Sequence, residues 1–333
     1  MRFRPLPASE LADTEVILVS YRSRDHVAEL LASWPADLAV TVVDNSCNSD
    51  GVRELAATRA SVRYVDGRGQ GFARAANLGA RHATSECLVF VNPDSRPTAE
   101  QLSSLVTGLR SDASAAAHAG TPMRPDGDLE MGAAGWEPSI RRVLVYSSGL
   151  QTLFPRAGFF ARPTPTEQMC VDWVCGACMA VRRQQFLELG GFDETFYVYA
   201  EDMSFGRRAR AMGLRSVLRT DIAVPHSAGG SGAPSREMLR LRGASFAGYV
   251  VRYHRLAPAV AMRGVLAAGA LIRGALQMLH GDRSGARLNL ALVTGTITRR
   301  AYVGGAEVAR ARFIETANLD PPLPEPAASD DEG

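Results

Sequence analysis

The chain has 333 residues, of which 46% are hydrophobic and 22% charged, with a formal net charge of +2. That length buries a large core and admits one large domain or two smaller ones. The near-neutral balance gives no electrostatic reason for a nucleic-acid partner, so none is expected. No lysine occurs, so every phosphate-facing cation other than histidine must be arginine. Met1–Pro5 has no apolar stretch of the kind a secretory signal needs. Five cysteines in a chain of this size read as reduced thiols, and a cytoplasmic location is expected. Cys175 and Cys178 stand at metal or redox spacing, but zinc usually takes four ligands, so no metal–thiolate site is expected there.

In chain order, Glu15–Tyr21 is a short apolar run and Asp25–Ser33 has helical composition. Ala39–Asp44 and Val62–Val65 are further apolar runs, Gly71–His82 is helical, and Cys87–Asn92 is a fourth run. Near-continuous Val/Ile/Leu strands alternating with helices predict an α/β fold whose mostly parallel sheet is covered on both faces. Such sheets bind ligands at the carboxyl ends of their strands, where the strand order reverses. The polar residues fall at those ends: Ser20 and Tyr21 after the first strand, Asp44 and Asn45 after the second, Asn92 and Asp94 after the fourth. Asp44 and Asp94 either cap the next turn or face a nucleotide, and two carboxylates at one sheet edge favour the second reading. Gly67–Gly71 is a weak dinucleotide fingerprint, because no acid ends a strand about twenty residues on. As a glycine turn feeding a helix, it suits a phosphate or a sugar hydroxyl.

Between 168 and 232 a strand leads through Cys175-Gly176-Ala177 into two helices, the second opening on Glu201-Asp202, and His226 follows another strand. The acidic pair either sits at the positive end of a helix dipole or does chemistry. His226 is a strand-end histidine or a metal ligand, and Trp173 is core or a wall for a sugar ring. From Ser235 the pattern is helical, through His254, then Ala257–His280, then Asp282–Val303. Arg263 and Arg273 interrupt the middle helix, leaving it short of the ~20 apolar residues of a bilayer span. Two readings stand for these helices: contact with an anionic membrane surface, or packing on the catalytic part or on a second subunit. The acidic, proline-rich end reads as disordered.

In combination these segments resemble the GT-A fold of inverting family 2 glycosyltransferases, especially the bacterial rhamnosyltransferase-like branch. Val16–Tyr21 with Ser23 resembles the family's opening "V-S-Y-N-S", with Arg22 in place of Asn. Val42–Ser46 with Asp50-Gly51 resembles "V-V-D-N-x-S-x-D-G", and Gly71-Phe72 with Asn77-Leu78-Gly79 resembles "G-F-(x)n-N-x-G". Phe90–Asp94 stands at the metal-binding motif, with Asn92 at its first acid, and Glu201-Asp202 at the family's "E-D". Residues 121–165 match poorly.

The resemblance implies a GT-A catalytic domain over 1–234, a helical region over 235–317 and a disordered tail over 318–333. It implies donor contacts from Ser20, Tyr21, Asp44, Asn45, Asn77, Asn92, Asp94, Gly176 and Ala177. Asp94 and His226 would hold Mn2+ or Mg2+, Asp202 would be the general base, and Glu201 and Trp173 would face the acceptor. The donor implied is a dTDP- or UDP-sugar, foremost dTDP-L-rhamnose. The acceptor implied is a saccharide, on a polyprenyl diphosphate for cell-envelope polysaccharide or on a soluble glycoside. A nucleotide-sugar-binding protein without catalysis is the rival reading, motivated by Asn92 and Ser204. A peripheral position on the inner face of the plasma membrane and a homodimer are further expectations.

Overall fold

The computed structural model describes residues 11–154, 156–165, 168–227 and 235–298. The predicted disordered tail and the end of the predicted last helix lie outside the described residues. Ten strands follow one another along the chain: β1 (Thr14–Ser20), β2 (Ala39–Asp44), β3 (Val62–Asp66), β4 (Cys87–Val91), β5 (Ala115–Met123), β6 (Ala134–Gly135), β7 (Gln168–Val171), β8 (Trp173–Val174), β9 (Cys178–Arg182) and β10 (Arg215–Pro225). The helices are α1 (Arg24–Ser33), α2 (Val52–Ala56), α3 (Phe72–His82), α4 (Ala99–Ser111), α5 (Ile140–Ser147), α6 (Arg183–Glu188), α7 (Glu201–Ala211), α8 (Ser235–Tyr253), α9 (Leu256–Leu279) and α10 (Arg283–Thr298).

Eight strands form one sheet in the order β3-β2-β1-β4-β9-β5-β10-β7, and β6 pairs with β8 beside it. The sheet is parallel except at β9 and β7, which run against their neighbours. β1 and β4 are buried along almost their whole length because helices cover both faces of the sheet, which is why their sequences run apolar without alternation. On one face Ile17, Val43, Phe90, Met179, Phe186, Phe192 and Phe205 pack beneath α3, α6 and α7. On the other, Val16, Leu18, Leu30, Val89, Leu102 and Leu105 pack beneath α1 and α4. The start of α4 is fixed by a capping box between Thr98 and Gln101. Close approach of α3 to the sheet depends on Gly79, where a Cβ would stand 2.6 Å from Ile17 Cγ2.

A third cluster joins the C-terminal helices to the sheet, with Val143, Trp173, Phe196, Met203, Phe246, Tyr249 and Met262 all buried in it. α9 is 24 residues long and apolar enough to cross a membrane by length and composition. This corrects the expectation that the arginines leave it too short. Arg273 donates to the Ser147 carbonyl and Arg263 to the Thr296 carbonyl, so both charges are used within the helical layer.

Candidate active site

The strand order reverses between β1 and β4, the topology that sets a ligand site beyond the ends of these two strands, at Ser20 and Val91. Three buried polar atoms gathered at this edge, Ser20 Oγ, Asn45 Oδ1 and Ser95 Oγ, have no hydrogen-bond partner among the described residues. A native fold rarely leaves such atoms unpaired unless something else is to meet them. Tyr21 is exposed beside them.

Asp44 is placed differently from the expectation that it faces the donor. It is fully buried, Oδ1 accepting from Ser46 N–H (2.7 Å) and Ser46 Oγ (2.6 Å), and Oδ2 from Asn48 N–H and Tyr64 Oη. Its carboxylate therefore shapes the β2 loop from within. The glycine turn before α3 is likewise consumed by the fold. Gly71 sits at φ +92° against Tyr197, whose carbonyl takes the Phe72 N–H at 2.7 Å.

Asp94 and His226 do come together. The Ser227 N–H donates to the Asp94 carbonyl at 3.0 Å, the 95 and 226 backbones form a β-bridge, and His226 Nε2 lies 3.5 Å from Asp94 Oδ2. On the other side of the ring, His226 Nδ1 lies 2.9 Å from Glu130 Oε1. Burial opposes a charge on this imidazole, but its hydrogen bonds to Asp94 and Glu130 outweigh that and push it up to about 9. Among the described residues no three His, Cys, Asp or Glu side chains form a ready cage for a metal. An oxygen and a nitrogen donor this close nonetheless suit one hard divalent cation. Cis ligands about 2.1 Å from a metal stand roughly 3 Å apart, and Mg2+ keeps most of its positions for phosphate and water. The residues present therefore fit such an ion.

The acidic pair opens α7. Tyr199 (φ 66°) and Ala200 (φ 70°) both hold left-handed backbone, uncommon for residues with a Cβ and found where a site over-determines the chain. Packing holds them: Ser245 Oγ of α8 donates to the Val198 carbonyl at 2.7 Å, and the Arg242 guanidinium lies 4.9 Å from the centre of the Tyr199 ring. Glu201 is 5% exposed, and its Oε2 has no hydrogen-bond partner among the described residues. Burial, then the neighbouring Asp202, raises the Glu201 carboxyl well above its usual range. Burial also raises Asp202, against the hydrogen bond that its Oδ1 accepts from Met203 N–H at 2.7 Å. A carboxylate that ionises reluctantly is a competent proton acceptor near neutral pH. Burial, and after it the charge of Asp202, pushes up the thiol of Cys175 on the β8–β9 turn. That turn, with Gly176 and Ala177, meets the metal-motif loop where Asn92 N–H donates to the Ala177 carbonyl at 2.9 Å.

Two predicted site residues belong to the core. Asn77 is fully buried, and its amide hydrogen-bonds Phe192 and Glu194. Trp173 is 3% exposed, enclosed by Phe159 and Phe160, with Nε1 donating to the Trp136 carbonyl, so no ring face is left for a sugar. Close packing took both, since a buried amide or indole N–H needs a fixed partner. Ser204 and Gly206, which follow Asp202 on α7, are both set by packing. Ser204 Oγ bonds Tyr253 Oη at 2.7 Å, and a Cβ on Gly206 would overlap the Asp172 carbonyl oxygen. Glu130 and Glu137 lie in the stretch that matched poorly, and only a fixed backbone shows them. Glu137 gathers Arg207, Arg210, Tyr249 and His254, tying α7 to α8.

The family model for glycosyl transferase family 2 matches residues 12–188, and that for glycosyl transferase family 21 matches 150–274. The chain is 25% identical over 209 residues to the low-salt glycan biosynthesis hexosyltransferase Agl10 of Haloferax volcanii, covering 60% of this chain and 62% of that protein's length. It is 28% identical over 233 residues to the N-acetylglucosaminyl-diphospho-decaprenol L-rhamnosyltransferase of Mycobacterium tuberculosis, covering 63% of this chain and 75% of that one. The solved structure of the mannosyltransferase PcManGT from Pyrobaculum calidifontis, in complex with GDP-Man and Mn2+, is similar with a TM-score of 0.52. It is 20% identical, over 86% of this chain and 88% of that one. That likeness establishes the GT-A-like fold. With the family 2 model spanning more than half of the sequence across this sheet edge, the chain belongs to glycosyltransferase family 2.

Proposed function

We propose that this glycosyltransferase is an inverting, divalent-cation-dependent enzyme moving a hexosyl group, best L-rhamnosyl from dTDP-L-rhamnose, onto a saccharide carried by a polyprenyl diphosphate. The observation that carries the reading is the acidic pair at the head of α7, with Glu201 Oε2 unpartnered and Asp202 partly exposed. An acceptor hydroxyl attacks the anomeric carbon, Asp202 takes its proton, and the bond to the diphosphate breaks with its electron pair leaving on the nucleotide. Such proton transfer contributes about 10²–10⁴-fold. On this reading the unpartnered Glu201 Oε2 would hold the acceptor hydroxyl, while Ser20, Tyr21 and Asn45 would meet the nucleotide. Asp94 and His226 would hold the cation, which when bound neutralises charge on the departing diphosphate.

The choice of donor and acceptor rests on the relatives, among them an N-acetylglucosaminyl-diphospho-decaprenol L-rhamnosyltransferase. A lipid carrier also suits the surface. Leu150, Leu153 and Phe154 after α5, and Ile272, Leu276 and Leu279 along the end of α9, are large apolar side chains left exposed. We place the enzyme in the cytoplasm, peripheral on the inner face of the plasma membrane. A calorimetric panel of nucleoside diphosphates and nucleotide sugars, each with and without Mn2+, tests the reading. Selective Mn2+-dependent binding of a dTDP- or UDP-sugar, weakened by Asp94→Ala, is expected. Failure of every nucleotide sugar to bind would remove it.

A further inference from the structure

We infer that Glu130 is a positioning residue for the divalent-cation site, setting the tautomer of His226 so that its Nε2 lone pair is turned toward Asp94. The inference rests on the metal reading of Asp94 and His226 and adds a residue to which that reading gave no role.

Glu130 reaches His226 through a specific fold-back of the chain. After β5 the backbone reverses, residues 123 and 129 form a bridge, and the Glu130 N–H donates to the Pro122 carbonyl at 2.8 Å. β10 runs parallel to β5, with Pro225 opposite Met123, and the His226 N–H donates to the Met123 carbonyl at 2.8 Å. The two residues are thus fixed on a common strand end, 96 positions apart in sequence, with 2.9 Å between Glu130 Oε1 and His226 Nδ1.

The chemistry follows from donor and acceptor counting. An ionised carboxylate only accepts, so beside Glu130 the Nδ1 atom must carry hydrogen. Between two carboxylates the ring holds a hydrogen on each nitrogen. A cation bound at Asp94 would replace the hydrogen on Nε2. The neutral ring, its Nδ1–H still held by Glu130, would then offer the Nε2 lone pair on the side where Asp94 Oδ2 stands 3.5 Å away. Were Glu130 absent, Asp94 would be the only carboxylate within ion-pair distance of the ring among the described residues. The favoured tautomer would then put hydrogen on Nε2, donated to Asp94, and close the pair to a cation. Glu130 itself lies across the ring from Asp94, so it acts through the histidine. Carboxylates placed this way behind metal-bound histidines fix ring orientation and raise ligand basicity, and losing them typically weakens metal affinity 10–100-fold.

The test is Mn2+ binding to the full chain, alone and with dTDP, followed by electron paramagnetic resonance. Spin-echo modulation then reads whether a histidine nitrogen is bound to the ion. Wild type should bind Mn2+ with a nitrogen coupling. Glu130→Ala and Glu130→Leu, each checked by thermal melting, should bind roughly 10–100-fold more weakly and lose the coupling. Glu130→Gln, which keeps an acceptor for Nδ1–H, should recover part of both. On a His226→Ala background, Glu130→Ala should add no further loss. Unchanged affinity and coupling in a folded Ala or Leu variant would overturn the role of Glu130 alone, as would losses that add to those of His226→Ala. Wild type that binds no Mn2+ under either condition would overturn the metal reading and this inference together.

Discussion

Asn77 holds Phe192 by both of its backbone groups. The Asn77 Nδ2 donates to the Phe192 carbonyl at 2.8 Å, and the Phe192 N–H donates to Asn77 Oδ1 at 2.8 Å, across 115 positions of sequence. The contact fastens α3 to the segment that leads into the acidic pair, so two motifs that are separate in the sequence form one buried staple. Asn77→Ala would orphan a buried N–H and a buried C=O, each worth about 1–3 kcal/mol. We expect a clear fall in Tm for Asn77→Ala. A variant that melts like the wild type would show the staple to be dispensable.

The acidic pair gives a rate prediction. Asp202→Asn keeps the shape but accepts no proton, so kcat should fall by about 10²–10⁴-fold with nucleotide-sugar affinity little changed. Calorimetry beside steady-state kinetics separates the two. A variant that retains wild-type kcat would show that the base lies elsewhere.

The same burial sets a pH dependence. Because Asp202 is raised in the fold, the acid limb of kcat/KM should titrate above the ordinary aspartate value of about 3.9. The pair as a whole determines where. Stability follows with a definite sign. Between the unfolded and the raised folded pKa the native state holds more protons, so stability falls as pH rises through that window. Asp202→Asn does not titrate, so its Tm advantage over the wild type should grow as pH increases from 4 to 8. A constant difference across that range would contradict the buried-charge account.

Gly206 is a packing requirement of α7. A Cβ there would overlap the Asp172 carbonyl oxygen and lie 2.8 Å from Trp173 Cβ. Gly206→Ala should destabilise by about 1–3 kcal/mol despite the better helix propensity of alanine. Urea unfolding measures this, and an Ala variant as stable as the wild type would show that α7 can shift freely.

The exposed apolar edge gives a binding prediction. Replacing Leu153 and Phe154 together by Asp should reduce flotation with anionic vesicles while leaving turnover on a water-soluble acceptor unchanged. Flotation equal to that of the wild type would remove this edge from the membrane proposal.

The sequence was enough for the four N-terminal strands of the sheet. β1, β2 and β4 lie within a residue of their apolar runs, because strands buried on both faces must be apolar throughout, and the half-exposed edge strand β3 also falls within a residue of its run. It was also enough to place Asp94 and His226 at strand ends and Glu201-Asp202 at a helix start, because these are local features, whereas the meeting of Asp94 with His226 was only implied by the family resemblance. It left Trp173 open between core and sugar wall, and the resemblance gave Asn77 to the donor, because both residue types suit a sugar as well as a core. Which of the two claims them depends on neighbours 37 to 115 positions away. It was silent on Glu130 and Glu137, whose partners lie on other elements and leave no spacing pattern. Periodicity and turn chemistry are written along the chain, whereas the partner of a polar side chain is decided by which segments the tertiary packing sets side by side.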